Sequence, residues 1–413
     1  MSKAPVSESP LGSLVTIKQG YTFSRSYQGN AEGKWMYVKV ADLNSLGNKK
    51  YVYRTKNYVD DDVLEKIKAT PFPANSIVFP RVGAALKLNN KLLLTEDCVT
   101  DDNVIVITVT DEEKCYFEYL YYWFEFQDLG RFCNSGAVPV ISGKNLKKEL
   151  VPLPLIDEQR KISRILSEWD NAIEKTEALI AAKEKQFEWL CTNLLSKRKK
   201  SFGFTGKSIP TAFGSIFSLF KKVNTSCADY EVLSVTKDGI VSQSEYFNKE
   251  VASKDKSKYL IVDKYTLVMS GLNFWMGAID FQTIRDTGIV SPAYKTFKLN
   301  EGPYNRDYLR FFIRSHYMTK ILLDSSIQGA SIVRRNLDME WLSNSLIGLP
   351  NLEEQNDIAN ILSLAEKEID GLKLLAEKYR IQKRGLMQKL LTGAWQVSST
   401  QSVAEGELRE AIA

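Results

Sequence analysis

The chain has 413 residues, 44% of them apolar and 25% charged, and a net charge of +5. That length exceeds one ordinary core and calls for two or three domains; no apolar run approaches the ~20 residues of a membrane helix. Five scattered cysteines without a CxxC pair, and an N-terminus without a basic-then-apolar leader, fit a reducing cytoplasm rather than a disulfide framework or zinc site.

The first 155 residues read as mixed α and β. Short β-branched and aromatic runs at Trp35–Val40, Ser76–Phe79 and Val104–Val109 are bounded by turn formers and predict strands. From Cys115 to Phe126, Tyr119, Tyr122, Trp123 and Phe126 recur at helical spacing, which predicts a helix packed on that sheet. A polar, glycine-bearing loop at 134–144 follows, then the punctuation Leu153-Pro154.

Residues 156–200 predict one long helix, with Asp157 as N-cap, Glu158 in the first turn, and the basic run Lys197–Lys200 at its C-terminal end. Apolar positions step alternately by four and three through Ile162, Leu166, Trp169, Ile173, Ile180, Phe187, Leu190 and Leu194, broken only at Thr176 and Lys183. A period of 3.5 residues sustained this long is a coiled-coil seam. A helix of about 39 residues would be roughly 58 Å long and cannot cover such a seam alone.

The stretch Val151–Lys197 returns as Ile347–Gly393 without a gap, with 14 of 47 positions identical. Its seam carries Ile358, Leu362, Ala365, Ile369, Leu372, Ala376, Tyr379, Leu386 and Leu390, with Lys383 at the position of Phe187. Residues 201–352 repeat the first module more loosely. Phe213-Gly214-Ser215-Ile216 echoes Leu11-Gly12-Ser13-Leu14, and the run from Tyr308 echoes that from Tyr119. The expected architecture is therefore α+β: modules at 1–155 and 201–352, long helices at 156–200 and 353–395, and a polar tail at 396–413. The two helices are expected to pair as an antiparallel coiled coil, relating the modules by a pseudo-two-fold axis.

Chemistry is sparse. His316 is the single histidine and lies in an aromatic helical pattern. Gly206-Lys207-Ser208 lacks the first glycine of a phosphate-binding loop. Neither an Asn-Pro-Pro-aromatic nor an Asp-Pro-Pro-Tyr motif is present, so an amino-methyltransferase site is missing. The acidic runs Asp60–Asp62 and Asp101-Asp102 suit turns and caps better than a cation. Neither a metal site nor a catalytic constellation is expected.

Two diverged modules alternating with two similar helices resemble the DNA-specificity (S) subunit of Type I restriction–modification systems over residues 11–395. The matching stretches are the Leu-Pro…Glu-Gln…Ile-Leu segment at Leu153–Leu166, its second copy ending at Gly393, and Arg81-Val82-Gly83-Ala84. Gly136–Pro139 with Asn145-Leu146, Val290–Tyr294 and Ile332–Leu337 complete the set. The resemblance implies a subunit without catalytic activity, whose two target-recognition domains each read half of a bipartite duplex site. Its helices would set the spacing and dock two modification subunits. S-adenosylmethionine would then be bound by those subunits for adenine methylation, and ATP and Mg by restriction subunits, with no cofactor on this chain. A coiled-coil adaptor without DNA specificity is the alternative.

Two half-sites about one helical turn, ~34 Å, apart suit a rigid spacer. Lys+Arg exceed Asp+Glu by 19 to 18 in residues 1–155 and by 18 to 14 in residues 201–352, so no basic tail exists and DNA would meet folded faces. Base readers and phosphate clamps are expected on module loops. The candidates are Tyr21, Arg25, Arg81, Lys87 and Lys144 in the first module, and Asn273, Trp275, Gln328, Arg334 and Arg335 in the second. Helix pairing is expected from Ile162, Leu166, Trp169, Ile173, Ile180 and Leu190 against Ile358, Leu362, Ile369, Leu372, Leu386 and Leu390.

Overall fold

A computed structural model describes residues 7–45, 47–134, 138–196, 200, 202–205, 207–246, 255–328 and 335–397. The long helices run Ile156–Leu194 and Leu352–Leu391. The chain forms two compact units, and the division cuts across both helices rather than between helix and module. One unit is Met1–Thr176 with Leu375–Ala413, the other Glu177–Leu374. Two helix ends differ from expectation. The central helix starts at Ile156, so Asp157 and Glu158 both lie in its first turn and Asp157 is not the cap. It stops at Leu194 with no basic residue in the last turn, and Lys197–Arg198–Lys199 lie outside the described residues.

In the first unit, a five-stranded sheet runs in the order Val15–Gln19, Val104–Val109, Ile77–Pro80, Leu92–Leu94, Tyr51–Val52. The aromatic helix Phe117–Phe126 covers one face of it, burying Tyr119, Tyr122 and Phe124 completely. Its start lies two residues beyond the expected one. The half-helix at 156–176 closes the same core. Ile162 and Leu166 join Tyr119, Leu120, Met387, Leu390 and Leu391 in one apolar cluster; burying each such side chain contributes about 1.5–3 kcal/mol. The terminal strand Ser7–Pro10 pairs antiparallel with Leu150–Leu153 beside that helix.

The second unit repeats the plan. A four-stranded sheet runs Phe217–Phe220, Lys295–Leu299, Leu267–Met269, Ile279–Phe281. The helix Arg306–Ile313 packs on it, and Ile209–Ala212 pairs with Leu346–Leu349. Leu194, Leu195, Ile358 and Leu362 complete its core.

Within each unit the helix segments pack in opposite directions. In the first, Trp169 meets Tyr379 edge-on at 5.6 Å, and Glu158 accepts the backbone N–H of Val397 at 3.0 Å. In the second, Lys183 pairs with Glu368 and Glu184 with Lys373, each at 2.7 Å, while Leu194 lies by Ile358 and Leu362. Of the other pairing candidates, Ile369 and Leu390 are buried; Ile173, Ile180, Leu190, Leu372 and Leu386 are half-buried. The two polar interruptions of the first seam are accommodated differently: Thr176 donates to the carbonyl of Ala172, and Lys183 uses its ion pair.

Candidate nucleic-acid interface

In the first module, one turn gathers the ends of several strands. Asp101 bridges to Tyr21, Arg81 donates its backbone N–H to Asn103, and the Arg81 guanidinium donates from Nε to the carbonyl of Asp102 at 3.2 Å. The approach is close enough to require glycine before Tyr21, since a Cβ on Gly20 would stand 2.1 Å from the Thr100 carbonyl oxygen. Asp101 and Asp102 are occupied within this turn: Asp101 accepts from Tyr37 and Asn103, and Asp102 from Thr22 and Asn103. Beside that turn, burial and Asp101 together push the Tyr37 phenol well above its ordinary range. In the other acidic run, Asp60 accepts the Lys34 N–H, while Asp61 pairs with Lys34 and Asp62 with Lys66. Among the described residues no group of three or more metal-ligating side chains forms.

Arg81 opens into a cleft of about 440 Å³ lined by Lys18, Gln19, Asn134, Val140, Ser142 and Gly143. The segment at 139–143 is held there because Ile141 donates to the Arg81 carbonyl and Gly83 to that of Pro139. Gly83, at φ +80°, then turns the chain into the short 3-10 helix Ala84–Leu88 that exposes Lys87. Lys144 is exposed on the helical turn Gly143–Leu146 at the cleft's rim, and Asn145 donates to Asn134 at 2.9 Å. Arg25 is exposed in the turn Arg25–Tyr27. Tyr21 is half-buried, its ring 5.9 Å from Phe72 and its hydroxyl accepting the N–H of Thr70, so it shapes the loop. Sequence reasoning passed over Lys18, Gln19 and Asn134. The signal for the first two was a polar pair ending a strand just before Gly20.

In the second module, Asn273 is exposed at the start of the turn Phe274–Met276. The Arg335 guanidinium lies over the Trp275 ring at 5.0 Å and donates to Ser326 at 3.0 Å. Both Trp275 Nε1 and Arg335 Nε are buried without a hydrogen-bond partner among the described residues. Strand register sets the backbone of Gln328 opposite Arg335. Trp275, Arg335 and the Gln328 backbone are thus joined through the Trp275–Arg335 stack and the strand pair, whereas Arg334 lies outside the described residues, as do Gly136-Ala137 and Gly329-Ala330. Among the described residues, Arg335 is held by a hydroxyl and an aromatic face.

A family model described as the Type I restriction modification DNA specificity domain matches residues 4–185. Two relatives from Methanocaldococcus jannaschii span most of the chain. The putative Type I restriction enzyme MjaX specificity subunit is 24% identical, covering 70% of this chain and 69% of its own. The Type I restriction enzyme MjaVIII specificity subunit is 23% identical, covering 68% and 71% respectively. The chain is thus similar to Type I DNA-specificity subunits, most directly over residues 4–185. Solved structures carry the same fold across most of the chain. The S subunit of a Type I system from M. genitalium matches with a TM-score of 0.55 at 14% identity, covering 93% of this chain and 96% of its own. A structure described as the basis of complex assembly and conformational transition in the Type I system matches equally, at 0.55 and 14%, covering 93% and 97%. Specificity subunits are non-catalytic components of restriction–modification complexes.

Proposed function

We propose that this specificity subunit reads a bipartite, asymmetric duplex target, each module taking one half-site, while the helices act as an antiparallel coiled-coil spacer with pseudo-two-fold symmetry. The observation that carries this reading is duplication with divergence. Gln159 and Gln355 make the same hydrogen bonds at the two module–helix junctions. The candidate readers, by contrast, sit in unlike surroundings: a polar cleft around Arg81 in one module, an aromatic–guanidinium stack in the other. A shared glutamine clamp beneath different reading surfaces suits two half-sites of different sequence.

Two modification subunits dock on the helices under this reading. The helices leave large apolar side chains exposed, with Leu364 at 71% and Ile381 at 63%, more than a lone helix pair needs to show water. The methyl donor S-adenosylmethionine belongs to those subunits, and ATP with Mg to restriction subunits, leaving this chain the address.

Mapping methylated adenines in host DNA tests the reading. Two unlike half-sites separated by a fixed gap are expected, and their loss on deleting this chain. A continuous palindromic motif, or an unchanged methylation pattern in the deletion strain, would sink it.

A further inference from the structure

The two module–helix junctions share an apolar layer and differ in a polar one. The repeat keeps Ile162, Leu166 and Leu194 in one copy as Ile358, Leu362 and Leu390 in the other, all buried in the cores of their units. Beside that common layer, Lys383 in the first unit is 8% exposed by side chain and donates to Glu125 at 2.7 Å and also to Asp170. The other Asp170 oxygen accepts the Tyr122 hydroxyl at 2.7 Å, and that hydroxyl oxygen receives Lys50 Nζ at 2.7 Å. Lys50 is itself ion-paired to Glu118 at 2.5 Å. The first module therefore presents an acidic, tyrosine-bearing helix, and the long helices answer with one ammonium and one carboxylate.

In the second unit the repeat places Glu366 where Asp170 stands and Phe187 where Lys383 stands. The module presents Arg310, Phe311 and Arg314 in place of Tyr121, Tyr122 and Glu125. Arg310 binds both oxygens of Glu366, at 3.0 and 2.6 Å, and Phe187 meets Phe311 edge-on at 6.0 Å.

We propose that the two helix sockets are keyed, each accepting its own module and rejecting the other. Placed in the second socket, the first module would set the half-buried Glu125 against Phe187 with no cation in place of Lys383, and its Tyr121 would leave Glu366 without a guanidinium. Placed in the first socket, the second module would set Arg314 against Lys383. A buried charge stripped of its partner is strongly destabilising, and like charges in contact exclude the wrong partner. The first socket has little room for such a loss, because the second oxygen of Glu125 is already buried without a hydrogen-bond partner among the described residues. Burial correspondingly pushes the Glu125 carboxyl upward against the pull of Lys383. Because the apolar layer is shared, the polar layer decides.

Full-length chains test this. In one, residues 11–149 and 213–345 trade places; in a second, the same exchange is combined with Lys383→Phe, Phe187→Lys, Asp170→Glu and Glu366→Asp. The second is expected to unfold at least about 5 °C above the first. Equal midpoints, or two chains that both fail to fold, overturn the proposal. In the native arrangement, Lys383→Met should lower the midpoint, and adding Glu125→Gln should recover at least half of the loss. A double variant no better than the single one overturns it as well.

Discussion

The side-chain carbonyl of Gln159 accepts the backbone N–H of Tyr116 at 2.8 Å, capping the aromatic helix of the first module from the long helix. Its amide donates to the carbonyls of Lys114 and Pro154. Gln355 repeats all three bonds, accepting from Asn305 and donating to Pro303 and Pro350. Both glutamines are almost fully buried. A single amide thus ties the module, the strand end and the helix start together, and leaves none of those backbone groups unpaired in the interior.

Gln159→Ala and Gln355→Ala should therefore each cost on the order of 3 kcal/mol, since orphaned buried backbone groups cost about 1–3 kcal/mol apiece. The losses should fall on different units. Urea unfolding followed by hydrogen exchange checks this: Gln159→Ala should open amides around Tyr116–Phe126, and Gln355→Ala those around Arg306–Ile313.

Much of this organisation was legible in the chain. The Glu-Gln identity of the repeat marked residues that carry matching bonds, and the 3.5-residue spacing marked Ile162, Leu166, Ile358 and Leu362, which are all buried. Periodicity could not show that those four residues serve the module cores as well as the opposing helix, because packing across distant segments leaves no local trace. Lys383 read as a break in the seam; its partners Glu125 and Asp170 lie 258 and 213 residues away. At the interface, single residue types named Arg81 but not the cleft around it, which Asn134 and Gln19 enter only through the strand pairing.

Lys91 offers a pH test. It is 5% exposed, donates to the Gln127 carbonyl at 2.7 Å, and burial pulls its ammonium down to about 8. A lowered value means the unfolded chain binds more protons between about 8 and the ordinary 10.5, so this group makes stability rise with pH across that window. Below about 8 the full cost of the buried charge is present. Lys91→Met should compare best with the native chain at pH 7 and lose ground as pH approaches 10, while Asn89 still donates to Gln127 at 3.3 Å. Unfolding midpoints at the two pH values check the sign.

Ile369 and Ile361 separate burial from exposure on one helix. Ile369 is 6% exposed and Ile361 40%. Ile369→Asp should destabilise the second unit by more than about 3 kcal/mol, as expected for an unpaired carboxylate in a packed site. Ile361→Asp should leave the unfolding free energy within about 0.5 kcal/mol of the native value. If Ile361 belongs to the docking face for a modification subunit, that second variant should instead weaken co-purification of the subunit. Equilibrium unfolding and a pull-down on the same two proteins distinguish the roles.

Lys87 and Lys144 are exposed beside the Arg81 cleft, and neither has a partner that would neutralise it among the described contacts. Such lysines hold phosphates as point charges without reading bases. Lys87→Ala and Lys144→Ala in the assembled methyltransferase should each weaken target binding and non-target binding alike. Each should also flatten the dependence of log affinity on log salt by about 0.9, the release of one counterion. Arg81→Ala should behave otherwise if it reaches a base edge, relaxing discrimination at one position of the half-site by about 1–3 kcal/mol. Salt titrations on cognate and single-substituted duplexes check both. A change in sequence preference from either lysine variant, or an unchanged salt slope, would remove that lysine from the phosphate-contacting face.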